Sequence, residues 1–382
     1  MARKVHRKLR GDGMSEWKTE TKMHDYAFND VLTIVNGKNQ KAVENKNGVY
    51  PIYGSGGIMG YADDFLCPEN TVVIGRKGSI NKPLFVETKF WNVDTAFGLV
   101  AKSEILQPKY LYYFCERYDF EQLNKTVTIP SLTKADLLKI KIPLPPLDEQ
   151  KQIAAVLDKC TAIIAKRKQQ LSALDDLIKA RFVEMFGDPE TNPKKWKKSQ
   201  LNEHAEVIVG YPFPSDGYTT DGIDIIGGYN IMHGFIQWEN SKYWSNAQGY
   251  EQYLLKPNDI VMAMDRPWVN GGFKIAKIDA IHLPALLIQR TACIRGIDIK
   301  QELLYSLLNS QRFAEHCNIT GSLVPHISNK DINSFQIIFP PMEEQNQFAD
   351  FVSRVDKTKA KIQKYLEKSQ LLFDSLMQEY FG

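Results

Sequence analysis

The sequence predicts an α+β protein. Two β-rich globular modules are separated by two long helices that pair as an antiparallel coiled coil, in a pseudo-two-fold internal repeat. Three observations carry that expectation. The stretch PPLDEQKQIA (residues 145–154) returns as PPMEEQNQFA (residues 340–349), at an offset of 340 less 145, or 195 positions. Each copy opens a run with apolar residues at heptad spacing. The segments preceding the copies are instead rich in short β-like runs, glycine turns and aromatic side chains.

Composition sets the bounds. At 382 residues the chain suits two or three domains, and 43% hydrophobic with 24% charged residues is ordinary globular usage. Apolar runs are too short to span a membrane. The basic N-terminus lacks the apolar core of a signal peptide, so a cytoplasmic protein is expected. Residues 1–13 read as an upstream or non-native extension before a natural start at Met14. The five cysteines are scattered without a CxxC and the seven histidines without an HExxH, so neither a disulfide framework nor a metal site is expected. A net charge of +3 is too balanced for a basic nucleic-acid coat.

The elements follow in order. Residues 14–128 form the first module, with TVVIG, LFVETKFWNV and AFGLV as strands and YLYYFCERYDFEQL as a helix. Residues 129–195 form the central repeat. There Thr133 precedes Asp136 at capping-box spacing, LKIKIPLPP reads as a strand, and the double proline breaks it. Acidic LDEQ then places carboxylates in a helix's first turn, where the helix dipole favours them. Apolar positions step by 4 and 3 from Ile153, Leu157, Cys160 and Ile164 to Met185, with Arg167 and Arg181 as polar breaks. Gly187 and Pro189 supply the stop, and a helix of about 38 residues would be roughly 57 Å long.

Residues 196–323 form the second module, with AEVIVG, IDIIGG, DIVMAM, FKIAKI and TACIRGI as strands and LLYSLLNSQRFAEHC as its helix. Residues 324–382 repeat the cap at Ser328/Asp331, the strand FQIIFPP, and a seam from Phe348 to Tyr380 with Lys359 and Ser369 in it. The offset needs no gap from Tyr110/Tyr305 to Gly187/Gly382. The preceding modules show no obvious duplication. Two seams of equal length and phase bury each other most economically.

Two unlike heads on a paired rod suit the reading of two half-sites across a spacer, and DNA is the polymer whose half-site geometry is fixed by rise and turn. In the first module GRKGSINKP presents Arg76, Lys77, Ser79, Asn81 and Lys82 on a glycine-flanked turn. Lysine and serine suit phosphates, and arginine and asparagine suit base edges. The stretch PIYGSGGIMGY has no GK[ST] and reads as turns bearing Tyr53. MDRPWVNGG in the second module offers Arg266 and Asn270, joined by Lys274 and Arg290, while Trp268 is weighed as a core side chain. At the helix starts, Glu149, Gln150, Glu344 and Gln345 are candidates for subunit docking. A methyltransferase loop with its [ND]PP[YFW] motif, a Walker A loop and a nuclease carboxylate cluster are not found, nor is a Ser/His/Asp or Cys/His arrangement. No catalytic residue is expected.

IPSLTKADLLKIKIPLPPLDEQKQIAAVLD, MFGDPETNPKKW and FPPMEEQNQFADFV closely resemble the specificity subunits of Type I restriction–modification systems. YGSGGIMGY, TVVIGRKGSI and FWNVDTAFGL are similar to a target-recognition domain of such subunits. The resemblance implies that residues 14–128 and 196–323 are target-recognition domains, each reading part of a split, asymmetric site in double-stranded DNA. It implies that the paired helices act as spacer and bind two modification subunits. It places S-adenosylmethionine on those subunits, and ATP-driven translocation and cleavage, with Mg, on restriction subunits. This chain would bind no cofactor. The rival is a coiled-coil scaffold whose heads bind protein or carbohydrate, which the 11% aromatic content favours.

Overall fold

A computed structural model describes residues 23–124, 130–269, 272–318 and 325–382. The expected extension at residues 1–13 lies outside the described residues. The chain divides into two compact units, Met1–Lys168 with Lys364–Gly382, and Gln169–Gln363. Each unit therefore takes one head and part of both long helices, a division that crosses the expected domain boundaries.

The first unit contains strands β1 (His24–Ala27), β2 (Leu32–Asn36), β3 (Tyr50–Gly54), β4 (Gly57–Ala62) and β5 (Thr71–Gly75), then β6 (Leu84–Val86), β7 (Trp91–Asn92), β8 (Ala96–Ala101) and β9 (Lys141–Leu144). Helix α1 is Pro108–Arg117, and α2 runs over Leu147–Phe186. An antiparallel sheet in the order β2-β8-β5-β6 packs under α1. A second sheet, β4-β3-β7, pairs β3 with β7 in parallel. The alternative of turns for PIYGSGGIMGY is thus replaced by a tight hairpin, β3–β4, whose turn places Gly57 at φ 116°, a region that favours glycine. Strand β1 pairs antiparallel with β9. Phe28, Phe97, Tyr110 and Phe120 fill the core.

The second unit contains β10 (Lys197–Gln200), β11 (Ala205–Val209), β12 (Ile223–Ile226), β13 (Lys242–Trp244), β14 (Ile260–Ala263) and β15 (Trp268–Val269). It continues with β16 (Gly272–Phe273), β17 (Ile275–Lys277), β18 (Ala285–Leu287), β19 (Thr291–Gly296) and β20 (Gln336–Phe339). Helix α3 is Gln301–Leu308 and α4 is Met342–Phe381. Its sheets are β11-β19-β14-β17 and β13-β12-β18, and β10 pairs with β20.

This is the first head's topology again. The parallel contact recurs between β12 and β18, and the first strand's register recurs as Leu32 opposite Ala101 and Ala205 opposite Gly296. Unlike in sequence, the heads are alike in fold. The repeat thus reaches upstream of Tyr110, because Ala101 and Gly296 keep the same offset (296 less 101 is 195). Between them and the repeat motif the offset slips. Gln150 and Gln345 bind equivalent helix starts at Gln107 and Lys300, which are 193 apart (300 less 107), so the ungapped pairing from Tyr110/Tyr305 fails locally.

The heptad seams fold as their spacing predicts. Ile153, Leu157, Cys160 and Ile164 are buried, Arg167 to Arg181 are half-buried at the same positions, and Met185 is buried. In the first unit, Ile153 and Leu157 of α2 share a core with Phe373, Met377 and Tyr380 of α4, and the Arg167 guanidinium lies 5.1 Å from the Tyr365 ring centroid. In the second unit, Phe348 meets Phe182 at 5.9 Å and Phe186 at 5.3 Å, and Lys359 pairs with Asp175 at 2.6 Å. Partner numbers fall on α4 as they rise on α2, so each unit holds an antiparallel stretch of the pair. The polar breaks thus have partners on the facing helix: a tyrosine for Arg167 and a carboxylate for Lys359. Thr133 caps its short helix through the N–H of Asp136, and Ser328 and Asp331 form a full capping box.

Candidate nucleic-acid interface

The first head's basic hairpin joins β5 to β6. Thr71–Gly75 is fully buried, as a central strand of branched apolar residues should be, and the chain emerges at Arg76. The turn closes so tightly that a Cβ on Gly75 would lie 2.4 Å from the Ser79 carbonyl oxygen, and Gly78 sits at φ 79°. That geometry leaves Arg76, Lys77, Ser79 and Lys82 exposed. Lys77 and Lys82 have no ion-pair partner among the described residues, and Arg76 lies 5.7 Å from the Phe97 ring centroid.

Asn81 stands apart from this group. Its Oδ1 accepts from the backbone N–H of Phe120 at 2.7 Å and its Nδ2 donates to Asp119 at 2.8 Å, so it ties the hairpin to the helical segment behind it. Tyr53 is half-buried with its ring edge-on to Phe90 at 5.4 Å, facing a groove lined also by Phe85, Tyr113 and Asp158. It does not join the basic hairpin.

In the second head the equivalent loop follows β14. Arg266 is exposed at φ 46°, donating its backbone N–H to the Pro325 carbonyl at 3.2 Å. Arg290 is exposed at the turn before β19, and its guanidinium reaches the Asp265 carboxylate at 3.1 Å. The other Asp265 oxygen bonds the His326 imidazole. Trp268 is 49% exposed rather than a core side chain, because its two-residue strand, β15, pairs only with β16. Asn270 lies outside the described residues.

Lys274 leaves the candidate list. It is buried, its ammonium donates to the Gly228 carbonyl, and burial lowers its pKa from the usual lysine value. Its ammonium is engaged by an internal carbonyl and is not presented to a phosphate. The helix-start glutamines are likewise internal. Gln150 Oε1 accepts from Gln107 N–H at 2.9 Å, while its Nε2 donates to the carbonyls of Ile105 and Pro145 at 3.0 and 2.9 Å. Gln345 repeats this with Lys300 N–H at 2.9 Å and Pro340 O at 2.8 Å. Both are buried, so neither side chain is available to a partner subunit. Glu149 and Glu344 stay half-buried in the first turns of α2 and α4.

Sequence reasoning missed Asp265 and His326. Nothing in their local sequence marks them, because the pairing that joins them is an isolated bridge between distant loops. Among the described residues no group of His, Cys, Asp and Glu is arranged to hold a metal, and no helix is long and apolar enough to cross a membrane. All five cysteines are buried thiols. Burial pushes Cys67 and Cys317 up to about 12, as inert packing side chains should be.

The fold is a duplicated α+β one, in which each unit carries a loop-bearing head and an antiparallel stretch of the two long helices. The family model of the Type I restriction modification DNA specificity domain matches residues 20–173 and 193–371. The chain belongs to that family. It is 27% identical over 375 residues to the Type I restriction enzyme MjaVIII specificity subunit of Methanocaldococcus jannaschii, covering 89% of this chain and 88% of the relative. It is 28% identical over 287 residues to the EcoAI specificity subunit of Escherichia coli, covering 72% of this chain and 48% of that protein. The fold is similar to the crystal structure of a Type I restriction–modification S subunit from M. genitalium, at TM-score 0.64 and 16% identity over 96% of this chain and 98% of that one. As a family member the chain is a specificity subunit, the non-catalytic part that confers DNA specificity on a restriction–modification complex.

Proposed function

We propose that each head reads one part of a bipartite, asymmetric DNA site and that the paired helices set the gap between the parts and dock two modification subunits. Restriction subunits join that assembly, with S-adenosylmethionine, ATP and Mg held by the partners, in the cytoplasm. The observation that carries this reading is the construction of one topology twice with unlike exposed loops at equivalent places. Arg76, Lys77, Ser79 and Lys82 supply the first head's contacts to DNA, and Arg266 and Arg290 supply the second's. Lys82 holds a phosphate without sequence preference, whereas the arginines suit base edges. With Gln150 and Gln345 internal, docking falls to the outward faces of α2 and α4, where Ile163 and Leu177 of α2 and Leu371 and Leu372 of α4 are exposed.

The test is an exchange of residues 17–127 for the corresponding segment of another specificity subunit. Selection from a random-sequence library, with modification subunits present, is expected to change one half of the enriched site and keep the other. Change in both halves, or a wild-type chain enriching no bipartite site, would reject the proposal.

A further inference from the structure

Both heads hold their candidate loops on the same backbone frame. In the first unit Arg76 N–H donates to Thr95 O at 2.8 Å, Leu132 N–H to Arg76 O at 2.9 Å, and Gly78 N–H to Pro130 O at 3.0 Å. In the second unit Met264 N–H donates to Arg290 O at 2.9 Å, Ile327 N–H to Met264 O at 2.8 Å, and Arg266 N–H to Pro325 O at 3.2 Å. The isolated bridge Lys77–Ser131 corresponds to Asp265–His326. One frame thus presents Thr95, Lys77 and Ser131 in the first head, and Arg290, Asp265 and His326 in the second.

We infer that these three framed positions are the specificity-determining positions of each head, and that Arg290, oriented by Asp265, reads a guanine in the second half-site. The inference rests on the DNA-reading function proposed above and names the residues and the base.

Three features of the second head support it. First, the cluster faces solvent: the side chain of Arg290 is 73% exposed, that of His326 56% and that of Asp265 35%. Second, Asp265 engages both neighbours, one carboxylate oxygen ion-paired with the Arg290 guanidinium at 3.1 Å and the other hydrogen-bonded to the His326 ring. A carboxylate so held draws the guanidinium to one side of the loop, while the fork's other N–H donors remain for O6 and N7 of guanine. Third, the backbone is unusual. Arg290 sits at φ 63°, and Arg266 at φ 46° takes the place that the first head gives to Gly78. Left-handed backbone disfavours a long side chain, and where one is kept there the side chain's task is the natural reason. Asp265 is a positioning residue in this account, and His326 steadies it.

The frame explains how two heads of one fold read different bases. Buried strands and backbone hydrogen bonds stay constant, and three exposed or half-buried side chains vary. Lys77 with Ser131 and Thr95 offers a flexible point charge and two hydroxyls, a weaker discriminator than a planar fork.

The test uses the full chain with its modification subunits, and library selection as the readout. For Arg290→Ala the preference at one guanine is expected to fall roughly 10- to 100-fold, with the other half-site unchanged. Arg290→Lys keeps the charge but not the fork, and is expected to lose most of that preference. Asp265→Asn is expected to weaken it at the same position while affinity for random DNA does not fall, since a negative charge is removed. Melting curves matching wild type would show that these surface variants remain folded. An unchanged motif in Arg290→Ala and Arg290→Lys would overturn the assignment, as would a uniform loss at all positions, the mark of a phosphate contact. If wild-type protein enriches no bipartite motif, the underlying function is wrong and this inference falls with it.

Discussion

Gln150 accepts a hydrogen bond from the backbone of Gln107 at 2.9 Å, and Gln107 in turn caps its own helix by accepting from Tyr110 N–H at 2.6 Å. The chain repeats its acidic-Gln motif because each copy anchors the start of a long helix to the head before it. Removing the Gln150 amide leaves a buried N–H and the carbonyls of Ile105 and Pro145 with fewer partners. Each such group costs about 1–3 kcal/mol. Gln150→Ala and Gln345→Ala are therefore each expected to destabilise the protein by about 3 kcal/mol in denaturant melts. Glu149→Ala, by contrast, forfeits only a dipole contribution of about 0.3–1 kcal/mol. A larger loss for Glu149→Ala than for Gln150→Ala would refute the anchor.

The helix pair makes a second prediction. Phe348 is fully buried and meets both Phe182 and Phe186. Truncation to alanine leaves an aromatic-sized cavity, so Phe348→Ala is expected to cost about 3–5 kcal/mol. Leu171, half-buried on the seam, gives a subtler probe. Leu171→Glu is expected to weaken assembly with modification subunits, read by size-exclusion chromatography, while the base preference of whatever complex forms stays unchanged.

Lys274 supplies a pH prediction. Its folded pKa is lowered by burial from 10.5, so between the two values the unfolded chain holds a proton that the folded chain does not. Stability should rise as pH increases through the folded value, because the penalty on the buried charge is present below it and relieved above. Lys274→Met removes that charge and is expected to flatten the alkaline limb of a stability–pH curve without loss of DNA affinity. Weakened DNA binding in a folded Lys274→Met protein would return this lysine to the interface.

Lys82 offers the contrasting case, an exposed side chain on the basic hairpin. If it holds a phosphate, Lys82→Ala is expected to lower the slope of log affinity against log salt by about 0.9 and to leave the selected sequence unchanged. Fluorescence-anisotropy titrations at several salt concentrations would measure it. A changed motif would make Lys82 a reader of bases.

The long helices were legible in the sequence because their burial follows a simple period, and the strands TVVIG and AFGLV because they are short, mostly apolar runs. HDYA and KKSQ, strands β1 and β10, gave no such sign; they are edge segments with mostly exposed side chains. The likeness of the heads was hidden for a related reason. Equivalent sheet positions such as Phe97 and Ala292 share backbone pairings and not size, so topology persists where side chains do not. At the candidate interface, residue type pointed to Arg76, Lys77, Lys82 and Arg290. Only the fold could reveal that Lys274 turns inward and that Asn81 is tied to Asp119.

One consequence concerns how such a chain changes its target. Strands β1 and β10 each enter a head beside the strand that leaves it, His24 opposite Leu144 in the first unit and Lys197 opposite Phe339 in the second. Entrance and exit are hydrogen-bonded neighbours, so the intervening stretch behaves as a cassette closed at its own doorway. Its length can drift, as the two-residue slip between the copies shows, without shifting the register of that seal. A recombining gene could splice in foreign stretches there and keep everything outside the doorway intact.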